Sequence, residues 1–293
     1  MNRKYEIITV ILVLIIIVGA LIFAGRQGNL KSKTWFFNFS SFSSNKNEET
    51  ISEFIGTEDI LKFDLDISNT DLEIISTSES NVKIETTHYA EDKYTIKQKG
   101  DNISIKKDEN HSIFNFNNKT GNVKIFVPKE LIAEYYGDIS NGRITISDIY
   151  AKNIEIETSN GDIKIDNLNV NNNIDLETSN GRINVNNLIA EDIELDTSNA
   201  SVTLEKVNGD YIIVETSNGT INVNNCKGKE VELDTSNAQI SAYECYGNEV
   251  ILDTSNGNIT LENLEDKEFV IDKLRVSTSN AKENINAKYN SKK

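Results

Sequence analysis

Acidic side chains gather just ahead of a recurring Thr-Ser-Asn triplet in this 293-residue chain. They are Glu155 and Glu157, Asp175 and Glu177, Glu194 and Asp196, Glu215, Glu232 and Asp234, and Asp253. Carboxylates in such numbers can serve acid–base hydrolysis of a polysaccharide, cation coordination, or docking of a basic surface. Hydrolysis is carried by one carboxylate pair in a locally irregular site, whereas these residues recur at nearly even intervals. A Ca²⁺ loop packs its ligands in a Gly-rich D-x-D pattern that is missing here. Two readings stay open. One is a docking strip for Ca²⁺, a cationic peptide or a basic partner. The other is a solvated face whose charge keeps a sheet from aggregating.

Other reactive side chains are few. The two histidines, His88 and His111, form no Ser-His-Asp or Cys-His pattern and lie far from the regular part of the chain, so neither a catalytic residue nor a metal site is expected. No cofactor is expected either. Cys226 and Cys245 stand 19 residues apart at equivalent places in consecutive repeats. They read as stacked core thiols or as a disulfide joining two coils. The formal net charge of −16 would repel phosphates, so nucleic acid is not an expected partner.

The interval between triplets points to the element that must carry these residues. Asn141, Asn160, Asn180, Asn199, Asn218, Asn237, Asn256 and Asn280 follow one another at steps of 19, 20, 19, 19, 19, 19 and 24 residues. A period near 20 indicates a stacked-repeat architecture. With Asn as position zero, Gly or Ala stands at +1 throughout, and apolar residues stand at +3, +5 and +8, as in Ile163, Ile165 and Leu168. An I-x-I or V-x-L pair precedes each triplet, as in Ile193/Leu195 and Val231/Leu233. These β-branched pairs of period 2 read as short strands with one inward face. Nineteen residues are too few for a β-α-β unit. The expected fold is all-β, a β-solenoid (β-helix) with one coil of about 19 residues per repeat. Thr-Ser-Asn-Gly then sits at a corner. There Asn is expected to ladder on Asn (Asn141 to Asn256), with Asn and Gly supplying the left-handed backbone.

Residues 7–24, "IITVILVLIIIVGALIFA", contain only Thr9 as a polar residue. A helix of that length spans about 27 Å, close to the hydrocarbon core of a bilayer. One transmembrane helix over 7–25 is expected to meet the lipid bilayer, after a short cytoplasmic tail (1–6). The C-terminal domain would then lie outside the cytoplasm at the cell membrane. Residues 26–50 read as a Ser- and aromatic-rich linker, 51–135 as irregular lead-in strands of the same sheet system, 136–281 as regular coils and 282–293 as a disordered tail. The sole proline, Pro128, stands where the irregular strands give way to the coils.

The stretch "NVKIFVPKELIAEYYGDISNGRITISDIYAKNIEIETSNGDIKIDNL" resembles the DUF4097 family of bacterial β-strand-repeat proteins, which carry an adhesin label. The likeness rests on the lead-in at 123–128 and the repeated G-x-I-x-I … I-x-I-x-T-S-N-G, and it covers roughly residues 55–281. It implies a β-solenoid, often membrane-attached and associated with the envelope of Gram-positive bacteria, and it brings no catalytic or binding residues. The expected function is a non-catalytic binding or structural module of the cell envelope, with a cationic envelope component or a membrane protein as partner. An envelope-stress sensor acting through a membrane partner is one alternative, and a polysaccharide-active enzyme is the other.

Overall fold

In the I-x-I segments side chains alternate between an apolar interior and a polar exterior, and the backbone follows as strands. The structure, a computed structural model, describes residues 37–42, 48–55, 61–89, 93–108, 120–264 and 270–292. The expected transmembrane helix and cytoplasmic tail lie outside the described residues.

Each repeat contributes two strands. The first follows the corner asparagine, as in Ile163–Val170, Ile183–Ile189, Val202–Asn208, Ile221–Lys227 and Ile240–Tyr246. The second precedes the next one, as in Asn173–Thr178, Asp192–Thr197, Tyr211–Thr216, Glu230–Thr235 and Glu249–Thr254. Every strand pairs in parallel with its equivalent one coil away. Ile163 thus stands opposite Ile183, then Val202, Ile221, Ile240 and Ile259. The interior is a column of Ile, Leu and Val side chains buried almost completely, and each coil lends its neighbours the apolar cover it cannot supply for itself.

The apolar spacing +3, +5, +8 departs from strict alternation, and the backbone shows why. Residue +7 takes a left-handed conformation in six coils, at Asp148, Asn167, Asn187, Lys206, Asn225 and Glu244, with φ between 52° and 57°. This extra residue works as a bulge that brings +8 back to the interior. The corner asparagines from Asn141 to Asn280 and the glycines after them are not left-handed, so the expected site of that conformation is corrected by seven residues. Asn and Asp tolerate it well, and four of the six positions carry them. Asn187 Nδ2 also donates to Asn167 Oδ1 (2.8 Å), and Asn167 Nδ2 to Asp148 Oδ1 (3.0 Å). This second ladder stops at Lys206. Lys206→Asn should relieve left-handed strain and join Asn187 to Asn225. The expected gain is about 1 kcal/mol, a rise of about 2–4 °C in the thermal midpoint. An unchanged or lower midpoint would contradict this.

The lead-in strands are laid in an unexpected order. Leu61–Asp66 lies between Asn102–Asp108 and Ile132–Ile139, and Thr70–Thr77 lies between Gly121–Pro128 and Ile144–Ser147. The chain makes one coil over 61–77, doubles back to cover one side of it, and returns to begin the regular stack on the other. Antiparallel strands close that first side: Val82–Tyr89 on Gly121–Pro128, Glu48–Ile55 on Val82–Tyr89, Phe37–Phe42 on Glu48–Ile55, and Lys93–Lys99 on Asn102–Asp108. Residues 37–42 and 48–50, expected as linker, are therefore strand. Inside this portion Phe63 and Tyr135 stack with centroids 5.0 Å apart, and burial pushes the Tyr135 phenol well above its ordinary range.

At the other end the stack does not stop at residue 281. Glu283–Asn286 and Tyr289–Lys292 add parallel strands on Ile259–Glu262 and Ile271–Thr278, where a disordered tail is expected. Ile285 and Ala287 pack against the core from this last coil, which explains the order despite the Lys-rich sequence.

Candidate functional site

The outer face of the second strand of each coil carries the acidic residues, because side chains at alternate positions to the buried I-x-I pairs must point outward. Register places them in two columns. Nearest the corner stand Glu157, Glu177, Asp196, Glu215, Asp234 and Asp253 on successive coils. Asp138 and Asp66 extend this column toward the lead-in strands. Both were missed in the sequence because no Thr-Ser-Asn follows them, although Asp138-Ile139-Ser140-Asn141 is a degenerate copy of the same pattern. The second column holds Glu155, Asp175, Glu194 and Glu232. It is interrupted by Ile213 and Ile251 and ends at Arg275.

Rungs of a sheet are about 4.8 Å apart, and two carboxylates at that spacing repel by about 1 kcal/mol even at the dielectric constant of water. Arg275, at the end of the second column, offsets it in part at Glu232. Among the described residues none of the ten carboxylates forms an ion pair or a side-chain hydrogen bond. The nearby cations are engaged elsewhere: Lys152 with Glu134 (2.8 Å), and Lys273 (2.6 Å) and Arg275 (3.0 Å) with Glu249. The consequence is visible in the acidities. Partial burial, reinforced by Glu194, Glu155, Glu177 and Asp196, pushes Asp175 up to about 6. Burial is the main cause raising Glu177, Asp196, Glu215, Glu232 and Asp234, and neighbouring carboxylates add to it in all but Asp196. The result is a long, nearly uniform row of carboxylates that their own coils leave under-compensated. Among the described residues no group of three or more His, Cys, Asp or Glu side chains is placed to hold a metal ion.

The corner next to this face is built from two ladders. On the surface each asparagine Nδ2 donates to Oδ1 of the preceding one: Asn160 to Asn141 (2.5 Å), Asn180 to Asn160 (2.8 Å), Asn199 to Asn180 (2.8 Å) and Asn218 to Asn199 (2.9 Å). Asn237, Asn256 and Asn280 continue the series at 2.8–2.9 Å. The ladder also reaches Asn69, to which Asn141 donates (3.0 Å) across 72 residues of sequence. Ile67-Ser68-Asn69 matches Ile139-Ser140-Asn141, and that match is the signal that could have found it.

Beneath the surface runs a threonine ladder. Thr178, Thr197, Thr216, Thr235 and Thr254 are buried, and each hydroxyl donates to the +1 carbonyl of the preceding coil at 3.0–3.3 Å. In the glycine coils the same hydroxyl accepts the glycine N–H: Gly181 to Thr178 (3.1 Å), Gly219 to Thr216 (3.0 Å) and Gly257 to Thr254 (3.1 Å). No such bond reaches Ala200 or Ala238, so the corner alternates between two local geometries.

Cys226 and Cys245 face each other on adjacent coils, fully buried, with free thiols. Their mutual S–H hydrogen bond, then burial, pushes the Cys226 thiol up. The amide of Asn263 takes the place of the next rung, accepting from Cys245 N (2.8 Å) and donating to Cys245 O (2.6 Å).

A family model described as Toastrack DUF4097 matches residues 60–291. No curated protein is significantly similar to the chain. Solved structures with a similar arrangement include a "putative lipid binding protein" from Parabacteroides distasonis. It is 17% identical, with 82% of this chain and 98% of that one covered and a TM-score of 0.47. A "putative adhesin" from Bacteroides fragilis is 14% identical, with 80% and 97% covered and a TM-score of 0.43. A "putative cell adhesion protein" from Clostridium sporogenes is 14% identical, with 65% and 99% covered and a TM-score of 0.40.

Proposed function

The chain belongs to the Toastrack DUF4097 family, and from that premise we propose that it is a non-catalytic binding module of the bacterial cell envelope. In this reading residues 7–25 anchor it in the bilayer, the solenoid stands outside the cytoplasm, and the acidic face receives a cationic envelope component or the basic surface of a membrane protein. The observation that carries the proposal is the row of carboxylates from Glu157 to Asp253, which runs through six coils without one internal cation to offset it. A face kept acidic only for solubility has no need of in-register carboxylates on successive rungs, because interspersed charge of both signs serves solubility equally well.

The test uses the full chain in detergent micelles, mixed with isolated Gram-positive envelopes and sedimented. Binding at low salt, lost at high salt and lost again when Glu194, Asp196, Glu215 and Asp234 are changed to their amides, is the expected result. Binding that survives both treatments would place the docking surface elsewhere. No binding at either salt would leave the acidic face as a solvated surface.

A further inference from the structure

The chain contains six Asn-Gly pairs: Asn141-Gly142, Asn160-Gly161, Asn180-Gly181, Asn208-Gly209, Asn218-Gly219 and Asn256-Gly257. In an unfolded peptide this is the pair most prone to lose its side-chain amide, because glycine offers no side chain to hinder attack by its own nitrogen. The glycine N–H gives up its proton to solvent base, and the nitrogen adds to the asparagine Cγ. The Cγ–Nδ2 bond breaks, and the nitrogen leaves as ammonia. Water then opens the cyclic imide at either carbonyl, leaving aspartate or isoaspartate. The balance is asparagine plus water giving acid plus ammonia, and no other reactant is needed.

The fold holds these six nitrogens unequally. Gly181, Gly219 and Gly257 donate to buried threonine hydroxyls at 3.0–3.1 Å, and Gly209 donates to Lys227 O at 3.0 Å. Gly161 reaches Thr158 Oγ1 only at 3.4 Å. Gly142 meets no hydroxyl, because Ile139, fully buried, stands where the later coils have threonine. Asn141 itself is solvent-exposed, so water can reach it. A nitrogen that must first abandon a hydrogen bond, and leave a buried hydroxyl short of its donor, is harder to turn into a nucleophile. Asn199, Asn237 and Asn280 precede alanine, whose methyl group hinders the attack.

We propose that Asn141 is a site of spontaneous, water-driven conversion to aspartate and isoaspartate in the folded protein, and that the threonine ladder protects the equivalent asparagines of the later coils. Conversion replaces the Nδ2 donor to Asn69 by an acceptor. It thereby cuts the asparagine ladder where the regular coils join the lead-in coil.

The full chain would be aged in mildly alkaline buffer and mapped by peptide mass spectrometry with isoaspartate detection. Asn141 is expected to convert on the order of tenfold faster than Asn218, with Asn160 in between. In denaturant the six pairs should convert at similar rates. Thr216→Val removes the acceptor of Gly219 and should bring Asn218 up to the rate of Asn141, and Ile139→Thr should slow Asn141. Equal rates at Asn141 and Asn218 in the native chain would overturn the proposal, as would an Asn218 that stays slow in a folded Thr216→Val protein.

Discussion

Gly219→Ala is expected to cost the solenoid about 3 kcal/mol, lowering its thermal midpoint by about 6–12 °C. A methyl group on Gly219 would fall inside the carbonyl oxygen of Ala200 and lie 2.9 Å from Thr216 Oγ1. The obstacle is backbone on one side and a buried, hydrogen-bonded hydroxyl on the other, so no flexible side chain can yield. Alanine at 200 and 238 is tolerated because those coils take the alternate corner geometry, without the N–H to threonine bond. Ala238→Gly should therefore change the midpoint by no more than about 2–4 °C, the loss expected from added chain entropy alone. Equal effects of the two substitutions would show that the corners do not alternate.

The second expectation concerns acidity. Asp175, Glu177, Asp196, Glu215, Glu232 and Asp234 are all raised in the folded protein. Between the ordinary carboxylate range and the raised values, up to about 6 for Asp175, the folded chain binds more protons than the unfolded chain. Stability therefore rises as pH falls through that window, and the penalty is complete above it. Solvent screening reduces each contribution to a few tenths of a kcal/mol, about 1–2 kcal/mol together, or about 2–8 °C in all at low salt, of which only part is gained by about pH 5. Glu134 and Asp162 are lowered, by Lys152 and by Arg182 respectively, so their stabilisation fails only at lower pH and does not mask the rise. Calorimetric scans across this range check it, and high salt should flatten the profile. A midpoint that falls steadily from neutral pH to pH 5 would mean the acidic row is compensated after all.

The repeated half of the fold was legible in the sequence because each inward position is occupied by the same kind of residue on every coil, as at Ile163, Ile183 and Val202. Eight copies average out local exceptions. The left-handed residue was not legible in the same way. Asn167 and Asn225 could announce it, but Lys206 and Glu244 hold the same conformation without any propensity for it, because tertiary packing of the +8 residue overrides the local preference. The lead-in strands were legible only as strands. Their order depends on pairings such as Leu72 with Ile144, which no periodicity encodes. The acidic row could be counted in the sequence. That Ile213 and Ile251 break one column while the other is continuous emerged only from the register.

The coil over residues 61–77 has a kinetic meaning. Its contacts with Ile132–Ser147 close a loop of about 70 residues, whereas each later coil closes one of about 19. Loop-closure entropy makes the first event costlier by about 1 kcal/mol, so neighbouring regular coils pair more cheaply with one another than with the lead-in coil. Any two coils that have paired offer the next one a finished edge, and it adds by a short-range step. The stack is then expected to zip from within its repeats, and the costliest closure lies in the least repetitive part of the sequence.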